Sequence, residues 1–241
     1  MGVAMPDIAS SLVYYAVFLF STTLHEAAHA WAAKLGGDLT AYHGGQVSLD
    51  PRPHIRREPV GMVVLPLITA LISGWPFGFA SAPYDPRWAL RHPRRAGWMA
   101  LAGPGANLLI VILAGLALRV GAMAGVLFAP ESVRFDHLAG ATDGVALWST
   151  VAFLLSVFFS LNLVLALLNL IPVPPLDGSA AIPLVLNDRS AARYQEFLMG
   201  QGRMLAFVGI YIAWQVFDLI FNPVFVVAAS FIFPGVDYVS H

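Results

Sequence analysis

The chain has 241 residues, of which 58% are hydrophobic and 11% charged, and its mean hydropathy is +0.73. A soluble domain carries roughly a quarter charged residues, so this chain lacks the polar surface to cover a compact body in water, and most of its exterior must face lipid. A net charge of −1 gives no field that attracts nucleic acid, so none is expected as a partner, and the absence of Cys excludes disulfides and thiolate metal ligands.

The N-terminus, Met1 to Asp7, has no Lys or Arg ahead of the first apolar run, so the basic start of a secretory leader is missing. Ala28-His29-Ala30 has the small residues of a cleavage site. The helical pattern nevertheless runs unbroken from Ile8 to Leu35, long enough to cross a hydrocarbon core of about 30 Å. The first helix is therefore expected to stay. Leu39 to Asp50 places β-formers on either side of His43-Gly44-Gly45 and reads as a β-hairpin whose exposed edge could pair with an extended peptide. Val60 to Trp75 is apolar but short and contains Pro66. Arg95 to Leu118, Val145 to Ile171 and Met204 to Phe221 are further spans, and Val224 to Phe233 follows Asn222-Pro223 as a short run of re-entrant or interfacial length. The expected fold is an all-α polytopic membrane protein. It has four transmembrane helices, two short or re-entrant segments and a small hairpin after the first helix. One membrane-embedded domain covers residues 1–241, with a core at about 8–180 and C-terminal helices at about 189–235.

Basic residues sort the loops. Lys34, Arg52, Arg56 and Arg57 lie in one, Arg87, Arg91, Arg94 and Arg95 in the next, and Arg189, Arg193 and Arg203 follow Ile171, which puts all three on the cytoplasmic side. Val60 to Trp75 then leaves and returns on one side as a dipping hairpin. The loop from Gly121 to Gly144, with Arg134 inside it, is external. On this topology residues near 29 and residues just past 171 share a membrane face.

The first helix contains His25-Glu26-Ala27-Ala28-His29. Residues four apart on a helix share a face, so the two imidazoles can converge on one cation, while Glu26 sits about 100° round, placed to reach a water beside the ion. Three ionisable groups inside a lipid-spanning helix cost several kcal/mol unless they face a polar interior and have partners, and a cation is the simplest partner. Zinc needs a third protein ligand. Asn169-Leu-Ile-Pro172-Val-Pro174-Pro175-Leu-Asp177-Gly178 supplies one: its prolines break the helix, and irregular backbone at a membrane is tolerated where it is buried or lines a cavity. Asp177 is the candidate. His43, His54, His92 and His137 lie in expected loops and read as solvated or turn histidines; Asp218 reads as interfacial and Arg91 to Arg95 as an anchor for the helix that follows.

With these segments the chain resembles the site-2 protease family of intramembrane zinc metalloproteases. The likeness rests on His25-Glu26-x-x-His29, on Ala102-Gly103-Pro104-Gly105-Ala106-Asn107, and on Asn169-x-x-Pro172-x-x-Pro175-x-Asp177-Gly178, in that order. It covers roughly residues 20 to 180. The resemblance implies that His25, His29 and Asp177 bind Zn2+, that Glu26 is the general base and proton shuttle, and that Asn169 helps bind the substrate carbonyl or the oxyanion. Asn107 reads as a helix-packing residue. No insert is long enough for a PDZ domain and no segment suits a CBS module, so the minimal form of the family is expected.

The implied activity is hydrolysis of a peptide bond in or near a transmembrane segment by a zinc-activated water. The substrate would be a membrane protein, such as a single-span anti-sigma factor or membrane-bound transcription factor, and the site would lie in the cell membrane near its cytoplasmic face. Two other readings use the same residues differently. One is a metalloprotease with Glu131 or Glu196 as third ligand; the other is a zinc transporter or metal sensor, which would not need Glu26.

Overall fold

The computed structural model describes residues 7–142 and 146–236. The stretch Met1–Pro6 that bears on a leader, Asp143 and Gly144 at the end of the loop expected to be external, Val145, and the side chain of Arg203 lie outside the described residues.

Four of the described helices are long and apolar enough to cross a membrane: α1 (Ile8–Leu35), α6 (Pro93–Met123), α7 (Ala146–Leu170) and α11 (Ala206–Ser230). Shorter elements lie between them. These are α2 (Thr40–His43), α3 (Pro51–Arg57), a π turn at Val60–Val64 leading into α4 (Leu65–Ser73), and α5 (Pro86–Arg91). A two-stranded ribbon, β1 (Leu127–Phe128) and β2 (Gly140–Ala141), follows α6. Beyond α7 come α8 (Asp177–Ala181), a 3-10 turn at Ile182–Leu184, α9 (Asp188–Met199) and α10 (Gln201–Met204). The chain is an integral multi-pass membrane protein.

Two expectations are corrected. The hairpin after the first helix is absent: Leu39 to Asp50 forms α2 and turns, and the antiparallel ribbon instead pairs Leu127 with Ala141 and Phe128 with Gly140. Short polar side chains explain the difference, because they capture the backbone donors that a hairpin would need. Asp38 accepts from Thr40 N (3.0 Å) and Thr40 Oγ1 (2.6 Å), Ser48 Oγ accepts from Asp50 N (3.0 Å), and Asp50 accepts from Arg52 N (3.0 Å), with Pro51 opening α3. The proposed edge for substrate pairing disappears with the hairpin. Nor is Val224 to Phe233 a separate segment. Pro223 lies inside α11, because an apolar surrounding penalises every unpaired backbone group and one missing N–H costs less than a break.

The chain forms two compact units, Met1–Ala106 with Asn169–Ile212, and Asn107–Leu168 with Ala213–His241. In the first, Asp7 caps α1 by accepting from Ala9 N and Ser10 N. At the far end of α1 the Gly36 carbonyl accepts from Trp88 Nε1 (3.0 Å) and Arg95 Nη1 (3.1 Å), and Trp88 is buried with Ala33, Ala89, Ala96 and Met99. α4 ends at Gly74, whose φ of 76° turns the chain back. Phe77 N then donates to Thr69 Oγ1 (2.8 Å) and Phe79 N to the Gly61 carbonyl (3.0 Å), so residues 75–79 return alongside the helix they left. The second unit packs Val111, Leu118, Leu138, Phe159, Leu163 and Phe225 into one apolar core. Within it Asn107, fully buried, donates from Nδ2 to Asn162 Oδ1 (2.8 Å), so it joins α6 to α7 as a packing residue.

Candidate functional site

α1 buries a polar stripe through its second half: Ser21, Thr22, Thr23, His25, Glu26 and His29. The i, i+4 spacing stacks His25 and His29 edge to face, with ring centroids 4.6 Å apart, and brings their Nε2 atoms to 2.9 Å. Asp177 arrives from the proline segment. Turn bonds from Val173 N to the Ile171 carbonyl and from Leu176 N to the Val173 carbonyl fold the chain tightly, and Gly178 packs against the Leu170 carbonyl at the end of α7, where a β-carbon would collide. That turn leaves Asp177 Oδ2 3.1 Å from His25 Nε2 and 3.3 Å from His29 Nε2.

Three ligand atoms thus form a triangle with edges of 2.9, 3.1 and 3.3 Å. A tetrahedral zinc with bonds of about 2.0–2.1 Å needs ligand edges of about 3.3 Å, so the donor set suits this ion after an expansion of a few tenths of an ångström. Two further features fit a resident cation. His29 Nδ1–H donates to the Met99 carbonyl (2.7 Å), which fixes the tautomer and turns the Nε2 lone pair towards the cluster. On α6, Gly103 faces both imidazoles, and a β-carbon there would run into both Nε2 atoms. Burial pushes the Asp177 carboxyl up, but the facing His29 and His25 outweigh it and hold the group well below the usual carboxylate range, as an anion.

Glu26 lies on the same helix, 5% exposed, and its Oε2 has no hydrogen-bond partner among the described residues. With His29, Asp177, Met99 and Pro175 it lines a cleft of about 230 Å³. Asn169 occupies the last turn of α7, half-buried, and is not among the residues lining that cleft. Glu131 and Glu196 are exposed, and the metal-ligating cluster among the described residues contains neither. His54 is not the solvated histidine expected: it is 1% exposed in α3, and its Nε2–H donates to the Ser48 carbonyl (3.1 Å). Met99 and Gln195 also line the cleft, and neither carries a signal in the sequence. The first acts through a backbone carbonyl, which leaves no mark on residue type; the second is a glutamine in a short polar helix.

The model of Peptidase family M50 matches residues 13–209. The chain belongs to that family. Among similar proteins of the name "Putative zinc metalloprotease", YwhC of Bacillus subtilis (strain 168) is 30% identical over 216 residues, which cover 86% of this chain and 88% of YwhC. Rip2 of Mycobacterium tuberculosis (strain ATCC 25618 / H37Rv) is 34% identical over 184 residues, covering 73% of this chain and 61% of Rip2, so the chain spans less than two thirds of that relative. No solved structure matches the chain. As an M50 member the chain is an intramembrane zinc metalloprotease of the site-2 protease family, and its substrates are proteins. Its His25, His29 and Asp177 cluster is consistent with the family's zinc site. The transporter and sensor reading gives way to the enzyme.

Proposed function

We propose that His25, His29 and Asp177 hold the zinc, that Glu26 is the general base, and that this site cuts a peptide bond in or near a transmembrane segment of a membrane protein. One observation carries the assignment: the Nε2, Nε2 and Oδ2 atoms of His25, His29 and Asp177 form one tight triangle, and two of its members, His29 and Asp177, line a cleft with Glu26, whose Oε2 has no partner among the described residues. When bound there, zinc supplies a water acidified to a pKa of about 7 and a polarised carbonyl. Glu26 accepts the proton of the attacking water and delivers it to the leaving nitrogen, a shuttle for which an unpaired, buried carboxylate oxygen is suited. The Met99 carbonyl keeps His29 in the ligating tautomer throughout. Asn169 is assigned to the substrate carbonyl or the oxyanion, supported by its place in the last turn of α7 beside Leu170, on whose carbonyl the Asp177 turn packs.

The substrate class we favour is a single-span membrane protein such as an anti-sigma factor or a membrane-bound transcription factor. The site is assigned to the cytoplasmic side of the cell membrane, on the strength of the basic residues around it. The core at about 8–180 carries the chemistry. The test is Glu26→Gln on a model transmembrane substrate, with zinc measured in the same preparation. Cleavage is expected to fall about 10²–10⁴-fold with zinc retained. A variant that cleaves at the parent rate would overturn the role of Glu26, and a His29→Ala protein with full zinc would overturn the ligand set.

A further inference from the structure

α9 carries one side chain that packing does not explain. The helix buries Ala191 and Gln195, one turn apart, on a single inward face. The start of the helix is placed by exposed contacts: Asn187 Oδ1 caps it by accepting from Ser190 N (3.0 Å), and Arg94 meets Asp188 (3.2 Å) and donates to the Leu186 carbonyl (3.1 Å). Gln195 is 3% exposed, it lines the same cleft as Glu26, His29 and Asp177, and its Oε1 has no hydrogen-bond partner among the described residues. An aliphatic side chain of the same length would fill this space without burying an unpaired carbonyl oxygen. The cleft wall around it includes the alanines at 80, 82, 96 and 100.

A peptide opened for hydrolysis loses its helical hydrogen bonds, and away from water each freed N–H and C=O must find a protein partner. A carboxamide offers one acceptor and two donors, the complement of a peptide unit, and a turn of its terminal dihedral presents either side. We infer that Gln195 is a substrate-binding residue that hydrogen-bonds the backbone of the unwound peptide beside the bond to be cut. The inference rests on the protease reading of the cleft.

The experiment uses full-length Glu26→Gln protein loaded with zinc, so that a transmembrane peptide binds without being cut, and compares it with the same protein carrying Gln195→Met. Peptides are made with successive amides near the cut replaced by esters, each of which removes one N–H and weakens one C=O. Gln195→Met is expected to weaken the all-amide peptide about tenfold with zinc content unchanged. At one ester position the Gln195 protein is expected to lose a similar factor while the Gln195→Met protein loses less than about twofold. Equal ester penalties at every position in both proteins would overturn the inference, whatever the overall affinity of the variant. Gln195→Leu replaces the methionine variant should that protein not fold. Failure of the protease reading looks different, because there the Glu26→Gln protein cleaves the peptide as fast as the parent.

Discussion

A methyl group at Gly103 would occupy the space in front of the Nε2 atoms of His25 and His29, the proposed zinc ligands. Gly103→Ala is therefore expected to push His25 and His29 apart and to lower zinc affinity at least about tenfold, read by metal titration of the purified protein. Gly105 is its control, two residues along the same helix with nothing near where its β-carbon would stand. Gly105→Ala should leave zinc binding unchanged and add about 0.5–1 kcal/mol of stability through helix propensity. Loss of zinc in both variants, or in neither, would show that the space before the imidazoles is not what Gly103 protects. At this scale much of the site is legible from the residues alone. The proposed His25, Glu26 and His29 follow from helical period, and the proposed Asp177 from the prolines that break the helix just past Ile171, on the membrane face expected for His29. The signal fails where function is carried by groups without a characteristic pattern, namely the Met99 carbonyl and the lone carboxamide of Gln195.

Short elements are held by a few polar atoms, and these decide what the sequence pattern alone leaves open. Asp38, 5% exposed, accepts from Thr40 N and Oγ1 with one carboxylate oxygen and from Asp85 N (2.9 Å) with the other, so it starts α2 and joins it to the cap of α5. Asp38→Ala removes a buried acceptor of three part-buried hydrogen bonds and is expected to cost about 1–3 kcal/mol, seen as a lower thermal midpoint in detergent. A change under about 0.5 kcal/mol would show that water replaces the carboxylate there. The same contacts explain the misread hairpin: Thr, Tyr and Val favour strands weakly, whereas Asp38, Ser48 and Asp50 bind particular backbone donors and outweigh that preference. At Pro223 the error has the opposite cause. The rule that proline ends a helix is a rule for water, and α11 continues where solvent offers no alternative partner. The other three long spans, α1, α6 and α7, met neither difficulty, since a mostly apolar stretch of more than twenty residues in lipid has one way to satisfy its backbone.

For the molecule as a whole, the decisive issue is which loops share a membrane face, and the ties within the first unit bear on it. The Gly36 carbonyl at the end of α1 receives Trp88 and Arg95, and Arg94 reaches Leu186 and Asp188. These bonds gather the end of α1, the start of α6 and the start of α9 at one level. Between them the chain makes a five-residue π turn and the nine-residue α4, which at about 1.5 Å per residue falls well short of a 30 Å core, and then comes back alongside it. A segment of this length that returns alongside itself is expected to enter and leave by one face. Because the chain has no Cys, single cysteines report on this directly. Arg57→Cys, Arg91→Cys and Arg189→Cys each replace an exposed arginine, and an impermeant thiol reagent is expected to reach all three from the cytoplasmic side of oriented vesicles and none from the other. A full crossing by Val60–Ser73 would instead split Arg57→Cys from Arg91→Cys. That result would separate α3 from α5 by the thickness of the bilayer and would overturn the arrangement in which Ser81 Oγ donates to Glu58 Oε1 (2.6 Å) across the returning segment.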